Sequence, residues 1–185
     1  MAANAALESP VMVIGQEFVT QHPVDLEMMQ KTFSLGMNDY LIFQVKSKIA
    51  TVRDIRYLQD AYGNIFVSLK HKANDAHGRW EVFRGESIEQ KDLLFSVKQS
   101  SVFQLVSSKV KCIPTFYTRQ KSVPDFRIEG AFIDSSCTIY LGNSNTIVAH
   151  REDDFQVTVC PNVDYAFIIV IVVILDADED NDDKT

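Results

Sequence analysis

Through the middle of the chain apolar and polar residues alternate nearly one for one, and near the C-terminus that alternation stops. Tyr165 to Leu175 is an unbroken apolar run, fenced by Asp164 before it and by Asp176, Asp178, Glu179 and Asp180 after it. A segment apolar on every side has to be buried on every side. Fully burying one such side chain is worth roughly 1.5–3 kcal/mol, so the run carries on the order of 20 kcal/mol gross. That exceeds the usual net stability of a domain, about 5–15 kcal/mol. Left in water, a β-rich uncharged run would seed aggregation. The rest of the chain has to enclose it.

Three enclosures are open to it. A membrane span needs about 20 apolar residues, and this run as a helix reaches only about 16 Å. A buried strand suits the consecutive β-branched residues Ile168 to Ile174. A buried helix suits Pro161-Asn162 followed by Asp164, a carboxylate placed in the first turn where the helix dipole favours it. Periodicity does not separate the last two.

From Tyr40 onward the alternation has period two. Leu41, Phe43 and Val45 alternate with Ile42, Gln44 and Lys46; Ile65, Val67 and Leu69 follow a Gly63-Asn64 turn. Trp80 and Val82, then Leu93, Phe95 and Val97, continue the pattern. Further strands are expected at 102–106, 113–117, 126–128, 138–141, 146–149 and 155–159. About ten short strands separated by turn signals predict an antiparallel barrel or sandwich. The interior of a barrel that size must be filled, and a helix is the compact rod that fits. Tertiary context then outweighs β-propensity, and the apolar run is expected as a helix. Earlier in the chain, Val11 to Phe18 reads as an extended arm on the body. After Pro23, Asp25 is placed to cap a short helix with Leu26, Met29 and Phe33 on its inner stripe.

The chain of 185 residues suits one domain over residues 13–175, with a disordered tail at 1–12 and an acidic tail at 176–185. Its opening residues lack the basic and apolar regions of a secretory signal. Three cysteines without a CxxC pair suit a reducing compartment. An intracellular, cytoplasmic protein is expected, peripheral at the plasma membrane or nuclear if it is tethered. The net charge of −7 conceals a basic middle, since residues 41–127 hold fifteen Lys or Arg against eight acids.

Little in the sequence points to catalysis. His22, His71, His77 and His150 are scattered, and no P-loop, GxSxG or GxGxxG motif occurs. No cofactor, metal site or enzymatic activity is expected. Asp176, Asp178 and Asp180 invite a calcium reading, but Asn181 stands where an EF-hand needs glycine. A solvated acidic end that stops the helix reads better. Basic residues do recur at i, i+2, which puts a pair on one face of a strand: Lys46 and Lys48, Lys70 and Lys72, Lys109 and Lys111, Arg119 and Lys121. Such pairs suit an anionic lipid surface or a phosphoinositide headgroup. Nucleic acid is not expected, because aromatics are not interleaved with the cations and the acidic ends repel phosphates.

Four motifs carry a resemblance. They are His77-Gly78-Arg79-Trp80-Glu81-Val82-Phe83-Arg84-Gly85, Asp92-Leu93-Leu94-Phe95-Ser96-Val97-Lys98, Asp125-Phe126-Arg127-Ile128-Glu129-Gly130 and Pro161-Asn162-Val163-Asp164-Tyr165-Ala166-Phe167. Together they resemble the plant LURP-one-related proteins, which are similar to tubby C-terminal domains and phospholipid scramblases. The resemblance implies a closed antiparallel β-barrel of about ten to twelve strands around a buried hydrophobic C-terminal helix. Tyr165, Phe167, Ile168, Ile171, Val172 and Leu175 would form that helix. It also implies a non-enzymatic binding protein, linked to plant defence and able to bind phosphoinositides. The alternative is a structural or interaction module with an unknown protein partner and no lipid affinity.

Overall fold

The computed structural model describes residues 7–29, 32–35, 40–48, 55–72, 79–98, 110–112, 117–118, 126–131, 136–142, 144–153 and 156–182. Thirteen strands and one long helix organise them. The strands are β1 (Val24–Met29), β2 (Thr32–Leu35), β3 (Tyr40–Lys48), β4 (Ile55–Asp60), β5 (Ile65–Lys72), β6 (Arg79–Arg84) and β7 (Leu93–Lys98). They continue as β8 (Val110–Cys112), β9 (Tyr117–Thr118), β10 (Phe126–Ala131), β11 (Ser136–Leu141), β12 (Ile147–Arg151) and β13 (Gln156–Val159). The helix α1 is Tyr165–Asp182. The expected strand at 102–106 lies outside the described residues.

All thirteen strands belong to one sheet, in the order β8-β10-β11-β12-β13-β1-β2-β3-β4-β5-β6-β7-β9. Laid flat at about 4.8 Å between neighbours, such a sheet would be about 58 Å wide. Yet its edge strands β8 and β9 are consecutive in the chain, separated only by residues 113–116. That connection reaches about 17 Å at most. The sheet must therefore curl until its ends approach. Phe167 on the helix registers the curl, for its ring lies 4.8 Å from Phe126 on β10 and 5.4 Å from Phe95 on β7. Those two strands stand near opposite ends of the strand order.

Inside the curl runs α1. Residues 166–174 are each at most 4% exposed, over more than two turns, so the sheet covers every side of the helix. Among the described residues no helix is long and apolar enough to cross a membrane. Phe167, Ile168, Ile171 and Val172 are buried; Tyr165 and Leu175 are half-buried at the ends of the apolar run. The lining comes from the alternating positions, including Leu58, Val67, Leu69, Val82, Phe95, Ile128, Ile139 and Val157.

Three expectations need correction, and one strand, β4, was not foreseen. Residues 24–35 form a hairpin, β1 with β2, in which Leu26 pairs with Leu35 and Met28 with Phe33. The helical spacing of Leu26, Met29 and Phe33 was outweighed by pairing with β13 on one side and β3 on the other. Strand β4 gave no clear alternation because a cation, Arg56, occupies an inward position beside Leu58. The helix does not stop at the acidic residues but continues to Asp182, since extending a formed helix costs little per residue. Finally, residues 7–12 do not stand off as a tail. Leu7 packs against the core, and Val11 is buried in a parallel bridge to Val163.

Candidate functional site

Two constructions stand out, one at the base of the helix and one on the outer face of the sheet. The base is organised by Asp164. Its Oδ1 accepts the N–H of Phe167 at 3.0 Å, capping α1, so it sits at the N-cap rather than in the first turn. Its Oδ2 accepts the N–H groups of Val13 (3.1 Å), Ile14 (2.7 Å) and Gly15 (3.1 Å). Three successive amides around one oxygen form an anion-holding concavity. Burial lifts the Asp164 pKa above its ordinary value, and the four N–H groups offset part of that rise.

Around this carboxylate the N-terminal arm is tied down by main-chain bonds. Val11 N–H donates to Asn162 O, Asp164 N–H to Val11 O, and Asn162 N–H to Thr20 O. Asn162 adopts φ of 63°, a conformation asparagine tolerates, and its side-chain amide donates to Leu7 O. Arg84 reaches from β6 to donate to Ile14 O at 3.0 Å. Phe18 lies 5.6 Å from both Phe66 and Tyr165, closing the base with aromatic rings. The apolar spacing of Val11 to Phe18 places the arm on the body, but only the fold brings its amides to Asp164. No short motif signals a contact over 150 residues. This base ties the N-terminal arm to the start of the helix.

The strands of the sheet divide its charge unevenly. Strands β3 to β7 hold Lys46, Lys48, Arg56, Lys70, Lys72, Arg79, Arg84 and Lys98 against Asp60 and Glu81. Strands β8, β10 to β13 and β1 hold Lys111, Arg127 and Arg151 against Asp25, Glu27 and Glu129. One flank of the curled sheet is thus strongly basic and the other balanced. Register gathers the basic flank further. Lys48 stands opposite Ile55, which stands opposite Lys70; Lys72 stands opposite Arg79, which stands opposite Lys98.

Of the expected basic pairs, the structure brings two together. Lys46 and Lys48 lie on β3, one strand removed from Lys70 and Lys72 on β5. Lys111 lies far away in the strand order, opposite Glu129 on β10. Lys109, Arg119 and Lys121 lie outside the described residues. The sequence pattern missed Arg79 and Lys98, because each is a single cation on its strand end and only register aligns them with Lys72. It also missed Glu81, which pairs with Lys72 at 2.5 Å. His77 lies outside the described residues; His71 packs on Trp80 at 4.8 Å, and the Arg56 guanidinium lies 5.5 Å from the same ring.

These features define a class: a β-rich protein whose sheet is wound about a hydrophobic helix, with a basic flank. Comparison with known proteins gives the family. The family model LURP-one-related matches residues 24–176. Protein LURP-one-related 15 of Arabidopsis thaliana is 38% identical, over 85% of this chain and 81% of its own length. Protein LURP-one-related 10 is 34% identical over 89% of this chain and 94% of its own length, and Protein LURP1 is 34% identical over 88% and 87%; both are from Arabidopsis thaliana. A crystal structure of an Arabidopsis thaliana protein superposes with a TM-score of 0.69 at 34% identity, covering 91% of this chain and 99% of the other. The chain belongs to the LURP-one-related family.

Proposed function

We propose that this protein is a non-enzymatic binding protein that docks reversibly on anionic membrane surfaces, with phosphoinositide headgroups as the favoured lipids. The supporting observation is the charge division between flanks, with Lys46 and Lys48 on β3 one strand removed from Lys70 and Lys72 on β5. Each cation near an anionic leaflet contributes about 1 kcal/mol. A balanced opposite flank leaves one orientation preferred. In the same reading the curled sheet closes as a tubby-like barrel, the protein works in the cytoplasm at the membrane periphery, and its role in the plant belongs to defence.

Co-sedimentation with vesicles tests the reading. Binding to vesicles containing phosphoinositide should weaken as salt rises from about 0.1 to 1 M, where the screening length falls from about 10 to 3 Å. Lys70→Glu with Lys72→Glu should weaken it further. Absence of binding to every anionic vesicle at low salt refutes the reading.

A second reading, a protein-interaction module, is favoured by Tyr62. This side chain is 92% exposed at the tip of the β4–β5 turn. The turn is rigid: the Asp60 carboxylate accepts from Tyr62 N–H, Asn64 N–H and the Asn64 amide. A pre-ordered aromatic costs little entropy to dock.

A further inference from the structure

Strands β3 to β7 run antiparallel, each beside the next, so their ends alternate between two rims. Every cation on these strands except Arg84 falls toward one rim. The other rim carries the β4–β5 turn at 60–64 and the β6–β7 loop at 85–92, and the N-terminal arm meets them there. Phe18 on the arm lies 5.6 Å from Phe66, just past the turn. Gly85 N–H, at the start of the loop, donates to Phe66 O at 2.8 Å. Arg84 donates to Ile14 O on the arm at 3.0 Å. Arm, turn and loop are thereby joined into one surface.

That surface is held in shape before anything binds it. In the turn, Gly63 takes φ of 88°, which costs glycine nothing, while the Asp60 carboxylate accepts from Tyr62 and Asn64. In the loop, the Ser87 hydroxyl donates to Asp92 at 2.6 Å and accepts the Glu89 N–H at 3.1 Å.

Charge and polarity set this rim apart. Glu8, Glu17, Asp60, Glu86, Glu89 and Asp92 stand against Arg84 and Lys91, six acids to two cations, a balance of −4. Asp60 and Asp92 engage their own turn and loop, and Glu89 pairs with Lys91 at 2.7 Å. Glu8, Glu17 and Glu86 are exposed. Three large apolar side chains are exposed among the described residues, and two of them, Met12 at 52% and Tyr62 at 92%, belong to this rim. An anionic bilayer is repelled by such a rim. A tyrosine on an ordered turn, with carboxylates around it, complements an apolar protein segment flanked by lysine or arginine.

We propose that this rim docks a partner protein through a basic segment, with Tyr62 as the apolar anchor and Glu17 and Glu86 selecting the segment's cations. The proposal rests on the interaction-module reading, to which it adds the surface and the chemistry of the partner. It is independent of the membrane reading, whose cations fall toward the opposite rim, so both surfaces can be occupied at once.

The test presents the full chain with a displayed library of random short peptides, then measures the enriched peptides in solution by fluorescence anisotropy. Enriched peptides should carry Lys or Arg beside an apolar residue, and their affinity should fall as salt rises. Tyr62→Ser should weaken them at least about tenfold, and Tyr62→Phe less than about threefold. Glu17→Lys with Glu86→Lys should also weaken them at least about tenfold. These exposed substitutions should leave the melting temperature close to native, which separates docking from folding. Peptides that need Tyr62 but lack basic residues overturn the basic partner and leave the interaction-module reading standing. Peptides that bind every variant equally overturn the surface. No enrichment at all overturns both. Vesicle binding measured beside these assays should be unchanged in Tyr62→Ser; a loss there makes the turn a membrane contact and overturns the proposal.

Discussion

The Oδ2 atom of Asp164 accepts the backbone N–H of Ile14 at 2.7 Å, joining two residues 150 positions apart. The same carboxylate caps the central helix through Phe167 N–H. The helix start and the N-terminal arm therefore share one anchor, and loss of one should be felt by the other.

Asp164→Ala should cost about 3–5 kcal/mol, the helix cap plus buried arm donors left without an acceptor. The melting temperature should fall by roughly 10 °C. Hydrogen exchange provides the decisive check, because the Ile14 amide should be protected in the native protein and exchange at loop rates in the variant. Unchanged Ile14 protection would refute the shared anchor.

Phe167→Ala should cost about 3–5 kcal/mol by opening a cavity between Phe95 and Phe126. Because those rings sit on β7 and β10, the loss should loosen both ends of the sheet together. Denaturant melts followed by fluorescence and by circular dichroism should shift in step. A separate early transition in one probe would count against a single cooperative core.

Tyr165 predicts an alkaline effect. Burial first, then the negative charges of Asp164 and Glu17, raise its pKa above 10.0. The folded state then holds this proton more tightly than the unfolded chain. Its contribution is present in full below about pH 10 and is lost as pH rises through the folded value. Tyr165→Phe lacks that titration, so thermal melts between about pH 9 and 11 should show the native protein losing stability relative to the variant.

Cys160 is buried, and burial raises its thiol pKa. Little thiolate exists at pH 8, and access is closed. A thiol reagent followed by peptide mass spectrometry should modify half-buried Cys137 first, with Cys160 reacting only as the protein unfolds. Equal native labelling of both would show that the base opens readily.

Much of the architecture was legible along the chain. Strict alternation announced strands such as β5, β6 and β7, whose core positions Val67, Leu69, Val82 and Phe95 are all fully buried. Where alternation broke, so did the reading. Arg56 turned inward and hid β4, while the chance spacing of Leu26, Met29 and Phe33 imitated a helix in a hairpin. The basic pairs were visible as pairs, but their neighbours Arg79, Lys98 and Glu81 were not, because register is a property of two strands and cannot be read from one.

The apolar run at 165–175 required burial whatever its conformation, since hydrophobic free energy depends on area and not on backbone geometry. Its becoming a helix was a tertiary decision. Seven β-branched residues in succession favour a strand by less than the fold gains from filling the space inside a curled sheet with a compact rod. In the same way composition alone dictated a basic middle segment, while the pairing of β5, β6 and β7 decided that three of its cations stand in a single line. Local chemistry chose the ingredients; long-range pairing, which no short stretch encodes, chose where they meet.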